Sequence, residues 1–206
     1  MLVNILLCIL GFRLVEKFCL NKNLSQKNVN FITSNIHAVT TFFVSTSYLL
    51  NFLSIETYLR LTFISISYAI YDNYLIIKED TPGKFFLIIH HLMIIIVNLW
   101  VNYYRDEFVI EMMAYNYLTE ITTPFLNLSL YLYRNKKTNI IVNGYNLFYS
   151  CNFILIITFF IFRILLGFYL VKMNLFYNYL SYFQVLMLGM NIYWFQKLVS
   201  KAIKVS

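Results

Sequence analysis

The sequence predicts an all-α membrane protein, six or seven transmembrane helices around a polar-lined cavity. Three observations carry this. Apolar residues make up 60% of the 206 and charged residues only 12%, a balance outside the range of soluble domains. The apolar residues fall into runs of about twenty, the length that crosses a ~30 Å hydrocarbon core as a helix. Polar residues inside those runs recur at three- and four-residue spacing, which suits a helix and not the alternation of a barrel strand. Glycine and proline are scarce, no segment is low in complexity and no unit repeats, so disorder and solenoids are poor readings. The formal charge of +7 is dispersed one to three residues at a time without the stripe a nucleic-acid binder needs. Cys8, Cys19 and Cys151 lie in or beside apolar runs with no CxxC spacing, which reads as buried small side chains, with no disulfide or metal role.

In chain order, Met1 to Phe12 is apolar and extends to Leu20 only past Arg13, Glu16 and Lys17. A cleaved signal would place its positive charge first, so residues 1–27 read as a hydrophobic segment, a candidate first span, followed by a cytosolic loop. Arg13 and Glu16, three apart on a helix, are placed to pair. Residues 21–30 are hydrophilic and read as loop. Residues 28–206 form the membrane domain, with apolar runs Phe31–Leu53, Tyr58–Ile77, Phe85–Tyr103, Phe108–Tyr133, Leu147–Leu170 and Phe176–Leu198.

Seven spans let every loop obey the positive-inside rule. Arg13, Lys17, Lys22, Lys27, Lys78, Lys84, Arg134, Lys136, Lys137, Lys197, Lys201 and Lys204 fall on one side, and Arg60, Arg105 and Lys172 on the other: twelve against three. The first side is therefore expected to be cytosolic, with a lumenal N-terminus and a cytosolic C-terminus. At 1.5 Å rise per residue, His37, Asp72, His90, His91 and Asn127 then fall in one layer roughly 8 to 9 Å below the cytosolic face. Ser34, His37, Thr41 and Ser45 make one helical stripe, Asn116, Glu120, Thr123 and Asn127 a second, and His91, Asn98 and Asn102 a third. Adjacent helical residues diverge by about 100°, so of His90 and His91 one faces the cavity and the other a neighbouring helix. Pro124 has no N–H for the carbonyl of Glu120, which predicts a kink there, with Thr122 and Thr123 able to satisfy or bend the same turn. Arg163, inside its span, either pairs with Glu120 or snorkels to the lumenal headgroups.

Groups of this kind are costly in hydrocarbon, and their presence points to use. A histidine near neutral pKa serves as general base or acyl-accepting nucleophile, and Asp72 is placed to orient it. A shallow layer suits transfer between lipids whose tails lie in the membrane and whose heads lie at the interface. Metal binding by His37, His90, His91 and Asp72 is allowed by residue type but lacks a local ligand spacing. Interhelical hydrogen bonding, on the order of 1 kcal/mol per bond, is the plainer reading, favoured for single residues such as Asn98, Gln184 and Asn191.

The segments ITSNIHA around His37, SYAIYD ending at Asp72, IIHHLM with His90 and His91, TEITTPFLNLSLYL around Glu120, FFIFRI around Arg163 and MNIYWFQKL near the C-terminus together resemble the TLC-domain family. This is the multi-span domain of ceramide synthases and of smaller lipid-homeostasis and trafficking proteins. The resemblance implies catalytic roles for His90, His91 and Asp72 if the chain is an enzyme, and lipid-binding roles for His37, Glu120, Thr123, Asn127 and Arg163. It implies no bound cofactor or metal, with acyl-CoA as a substrate and a lipid or acyl-CoA as partner in the endoplasmic reticulum; a homodimer is compatible with it. Synthases carry aspartates after the paired histidines, whereas Leu92 to Tyr104 has no acidic residue, which places the likeness nearer the smaller, non-synthase branch. The expected function is binding of a lipid acyl chain or acyl-CoA in membrane lipid homeostasis. The alternatives are an N-acyltransferase of ceramide synthase type and a membrane trafficking receptor.

The topology has a direct check in Asn23-Leu24-Ser25, a glycosylation acceptor sequence that this orientation puts in the cytosol. Expressed in cells with the glycosylation machinery, the chain is expected to migrate identically with and without glycosidase. A glycosidase-sensitive species that disappears in Asn23→Gln would reverse the orientation.

Overall fold

The computed structural model describes residues 2–78, 83–174 and 178–205, apart from the side chains of 178–180 and 201–205. Its elements are α1 (Leu2–Asn21), α2 (Gln26–Leu49), α3 (Ile55–Leu61), α4 (Phe63–Lys78), α5 (Lys84–Tyr104), α6 (Glu107–Tyr117), a 3₁₀ turn (Leu118–Ile121), α7 (Thr122–Arg134), a hairpin of β1 (Ile141–Val142) and β2 (Tyr145–Asn146), α8 (Leu147–Phe159), a π-helical turn (Phe160–Leu165), α9 (Leu166–Asn174) and α10 (Asn178–Val205). The chain is all-α, with seven helical stretches among the described residues once α3–α4, α6–α7 and α8–α9 are each taken as one. The expected start of the last run at Phe176 lies outside the described residues. Lys84–Tyr104 and Leu147–Asn174 are long and apolar enough to cross a membrane.

Polar residues mark most boundaries. Ser25, Ser54, Asp106 and Asn146 cap α2, α3, α6 and α8 by accepting backbone N–H groups of the first turn. The Ser25 cap corrects one expectation: most of residues 21–30 is helix, not loop. Val29, fully buried, and Gln26, whose side-chain amide donates to Glu16 at 3.1 Å, tie this turn to α1. The far end of α2 also differs from the apolar run, stopping at Leu49. Asn51 takes a left-handed φ of 61°, and the Phe52 N–H closes on the Ser47 carbonyl at 2.8 Å, a Schellman ending that exposes Phe52.

The helices divide into two compact units, 1–118 and 119–206. In the first, α1 packs on α4, α4 on α5 and α2 on α6. Its core joins Phe12 of α1 to Tyr68, Tyr71 and Leu75 of α4, and Ile5 to Phe63 and Ile66. In the second, Leu155, Phe159 and Ile164 pack against Phe125, Leu126, Ile192, Trp194, Phe195 and Leu198. The surface is apolar where a soluble protein's would be polar. On α1 the outward residues include Leu7, Leu10, Leu14 and Phe18, while the buried ones include Glu16. On α5, Phe85, Leu92, Ile96 and Trp100 face out, and His91 and Asn98 face in. Apolar patches of this extent are rare on soluble monomers, and the pattern is the one a lipid solvent selects.

Cations assigned to the same side meet in the first unit. Arg60 and Arg105, assigned to one side, both reach Glu56, at 3.3 and 3.0 Å. Arg13 and Lys78, assigned to the other, both lie over the Tyr74 ring, at 4.4 and 5.8 Å. The expected Arg13–Glu16 pair forms at 2.8 Å.

Asn98 and Tyr117 exchange hydrogen bonds between α5 and α6, the amide donating at 2.7 Å and the phenol at 3.0 Å. Tyr117→Phe removes the phenol's donor and acceptor and is expected to lower stability on the order of 1 kcal/mol, read as a reduced unfolding midpoint in detergent. An unchanged midpoint would mean this pair does not hold α5 to α6.

Candidate functional site

Three of the sequence-predicted residues converge in the first unit. His37 sits on α2, one turn beyond Thr33 and one before Thr41 along the buried stripe; Ser34, expected in that stripe, is only half-buried. Its Nε2 lies 3.2 Å from Ser65 Oγ on α4, and its ring stacks on Tyr68 at 4.1 Å between centroids. The other edge of Tyr68 meets His91 of α5 in a T-shaped contact at 6.0 Å. Asp72 extends the same face of α4: Ser65, Tyr68 and Asp72 are three and four apart, one helical stripe.

His91 is buried and held at both ring nitrogens. Nδ1 is 2.9 Å from Asn73 Oδ1, and Nε2 is 3.6 Å from Asp72 Oδ2, an ion-pair distance longer than a hydrogen bond. With the amide in this orientation both nitrogens face acceptors, the arrangement of an imidazolium. With the amide reversed, Asn73 donates to Nδ1 and a neutral ring directs its Nε2–H at the carboxylate. In the neutral case the carboxylate fixes Nε2 as the nitrogen that carries the proton. His90 is half-buried, its ring 5.5 Å from that of His91 and tilted by 48°. The two histidines diverge as their adjacency on a helix requires.

Beside Ser65 lies a cleft lined by Thr41, Ser45, Tyr58, Thr62, Ser65 and Tyr117, among others. The room inside it is about 10 Å³, about one water and far below the roughly 300 Å³ at which small-molecule pockets begin. Val44 and Leu61 also line it, so it is not the polar-lined, lipid-sized cavity that was expected.

Glu120, Thr123, Asn127 and Arg163 belong to the second unit. The 3₁₀ turn occurs where Pro124 removes the helical bond to Glu120. Thr122 Oγ1 donates to the Thr119 carbonyl at 2.9 Å and Thr123 Oγ1 to Glu120 Oε2 at 2.8 Å, so the threonines serve the broken turn as predicted. Arg163 does not snorkel. It sits in the π-helical turn, 7% exposed, with Nε donating to Thr122 Oγ1 at 2.8 Å, a terminal nitrogen to Thr123 Oγ1 at 3.4 Å, and the other to Asn191 Oδ1 at 3.4 Å. Phe159 lies under the guanidinium at 5.3 Å. Thr123 bridges the guanidinium and Glu120. Snorkelling fails because the π-turn aims the side chain at α7 and α10, where three oxygens replace water.

Sequence reasoning missed Ser65, Tyr68 and Asn73. The 3,4 spacing of Ser65, Tyr68 and Asp72 was the available signal. Nothing local marks Asn73, which acts from beside that stripe. Asn191, expected only as an interhelical hydrogen-bonder, has that role with Arg163 as its partner. Among the described residues no three metal-ligating side chains converge.

A family profile described as the TLC domain matches residues 55–200. The chain belongs to the TLC-domain family. A TLC domain-containing protein of Acanthamoeba polyphaga mimivirus is 29% identical over 160 residues, covering 72% of this chain and 76% of its own length. No solved structure matches. The matched region of this TLC-domain chain includes Ser65, Tyr68, Asp72, His90, His91, Glu120 and Arg163, and begins after His37.

The Arg163 network makes a stability prediction. Removing one member of a buried charged network costs about 3–5 kcal/mol because the other groups remain desolvated. Arg163→Met is therefore expected to lower the unfolding midpoint sharply. Arg163→Lys should restore only part of the loss, since one ammonium cannot span Thr122, Thr123 and Asn191, and adding Glu120→Gln to Arg163→Met should recover some stability. A midpoint unchanged in Arg163→Met would show the network to be energetically idle.

Proposed function

We propose that this chain binds a lipid acyl chain or acyl-CoA, with the polar end of the ligand at the His37–Tyr68–His91–Asp72 cluster, and acts in membrane lipid homeostasis, in the endoplasmic reticulum. Membership of the TLC-domain family supports a membrane-lipid role. The observation that carries the reading is the pairing of a buried imidazole with a carboxylate, His91 Nε2 to Asp72 Oδ2, inside a unit whose outward surface is apolar. Such a site leaves the tail in the bilayer and needs to admit only the head. His90 is half-buried, its ring 5.5 Å from that of His91. In the second unit, Glu120, Thr123, Asn127 and Arg163 supply further polar contacts for the same class of ligand.

The Asp72–His91 pair also favours a second reading, an N-acyltransferase of ceramide synthase type. His91 would take the proton of the attacking amine as its nitrogen bonds to the thioester carbonyl. The imidazolium, steadied by Asp72, would return that proton to the departing thiolate as the carbon–sulfur bond breaks. This is the work for which a carboxylate-oriented histidine is suited.

One preparation separates the two readings. Wild type and His91→Ala, purified from the same membranes, are compared for copurifying lipid and for transfer of a labelled acyl group from acyl-CoA to sphingoid bases. A binder is expected to lose about tenfold in lipid retained per folded molecule in His91→Ala, the equivalent of about 1.4 kcal/mol. Transfer present in wild type and absent in a folded His91→Ala would establish the enzyme. Equal lipid retention and no transfer in either protein would remove the cluster from both readings.

A further inference from the structure

We infer that the β1–β2 hairpin between α7 and α8 is a docking element for anionic lipid headgroups of the leaflet it faces. The hairpin lies outside the sites already described. Asn143-Gly144, with φ of 50° and 83°, makes the two-residue turn, and Val142 pairs with Tyr145. The turn carries no covering layer: Ile141 is 70% exposed, Tyr145 72%, and Ile140 and Val142 are exposed as well. A soluble loop has no use for an uncovered Ile-Ile-Val-Tyr group, whereas a bilayer interface accepts it.

The hairpin is fixed in place. Asn146 accepts the N–H groups of Phe148 and Tyr149 at 3.0 and 3.2 Å while its amide donates to the Thr138 carbonyl at 2.9 Å. Leu147 N–H closes on the Ile140 carbonyl at 2.9 Å. The hairpin is thereby stapled to the first turn of Leu147–Asn174, a segment long and apolar enough to cross a membrane. An element at the mouth of such a helix stands at the interface. Exposed Tyr133 and Tyr149 flank it, residues that favour headgroup depth.

Charge selects the lipid. Between Tyr133 and Tyr149 the chain holds Arg134, Lys136 and Lys137, all exposed, and no acidic residue. Lys136 has a left-handed φ of 54°, and Lys137 N–H closes on the Leu132 carbonyl at 2.8 Å, so both lysines stand at the α7 ending, three to four residues before Ile140. The Lys137 ammonium donates to the Tyr131 hydroxyl at 3.3 Å. Apolar tips with flanking cations complement an anionic surface, and basic residues near such a surface strengthen attachment about fivefold each.

The test uses the full chain bearing Val142→Cys, labelled with an environment-sensitive fluorophore. The protein is reconstituted in vesicles of phosphatidylcholine alone or with phosphatidylserine added. Cys19 and Cys151 are buried, and the unsubstituted chain gives the labelling background from Cys8. The expected result is blue-shifted emission, shielding from aqueous iodide and quenching by a shallow lipid-borne quencher, all stronger with phosphatidylserine and weakened by salt. Lys136→Gln with Lys137→Gln should reduce the embedded-to-free ratio about fivefold per lysine. A probe quenched by iodide as fully as the free fluorophore in both lipids would overturn the inference. Shielding that depends on protein density in the membrane and not on lipid charge would overturn it too, in favour of a protein partner.

Discussion

In a lipid-solvated bundle a buried polar side chain has no water to turn to, and that constraint organises this molecule. Most hydroxyl and amide groups meet it locally. Thr33, Thr41, Thr46, Ser67, Asn102, Asn116, Asn152, Thr158 and Asn174 each donate to the carbonyl one turn back on their own helix, which satisfies that donor. Several groups, Asn102 and Asn152 among them, reach across helices as well. Ser65 goes to His37, Asn73 to His91, Asn98 to Tyr117 and Asn102 to Thr62 in the first unit, and Ser129 goes to Asn152 and Arg163 to Thr122 and Asn191 in the second. These contacts set which helices are neighbours. Ser65 is the informative case, because its hydroxyl meets an imidazole instead of its own backbone.

The same constraint explains where ordinary helix chemistry gives way. The α6–α7 stretch narrows to a 3₁₀ turn before Pro124, and the α8–α9 stretch widens to a π-turn at Arg163. Each departure frees backbone or redirects a side chain that then needs partners. In the second unit those needs are met mutually: the threonines after the first departure receive the guanidinium set by the second. A proline and an arginine far apart in sequence are thus parts of one arrangement.

Much of this was legible beforehand. The apolar runs locate the helical stretches because a span needs about twenty residues whatever its neighbours do. Arg60 and Arg105, assigned to one side, share Glu56, and Arg13 and Lys78, assigned to the other, share Tyr74. His37, Asp72 and His91 were placed together by depth and by polar stripes, and Tyr68 and the Asp72–His91 contact connect them. The stripes were drawn on α2, α5 and α6–α7, none on α4, so Tyr68, the ring between the two histidines, went unnoticed. Helix ends were the least legible, since Ser25 extends α2 through residues whose composition reads as loop, and Asn51 stops it inside an apolar run.

The two polar groups differ in what they are able to do. A guanidinium only donates, and it keeps its charge at any pH the cell meets. Arg163, tied to Thr122, Thr123 and Asn191, is therefore able to position or attract but not to move a proton. An imidazole both accepts and donates, and His91 has a carboxylate on one nitrogen and an amide on the other. Of the two groups, His91 alone is of a type able both to accept and to donate a proton. Asp72, at 3.6 Å, is close enough to stabilise a charge on the ring and too far for a hydrogen bond.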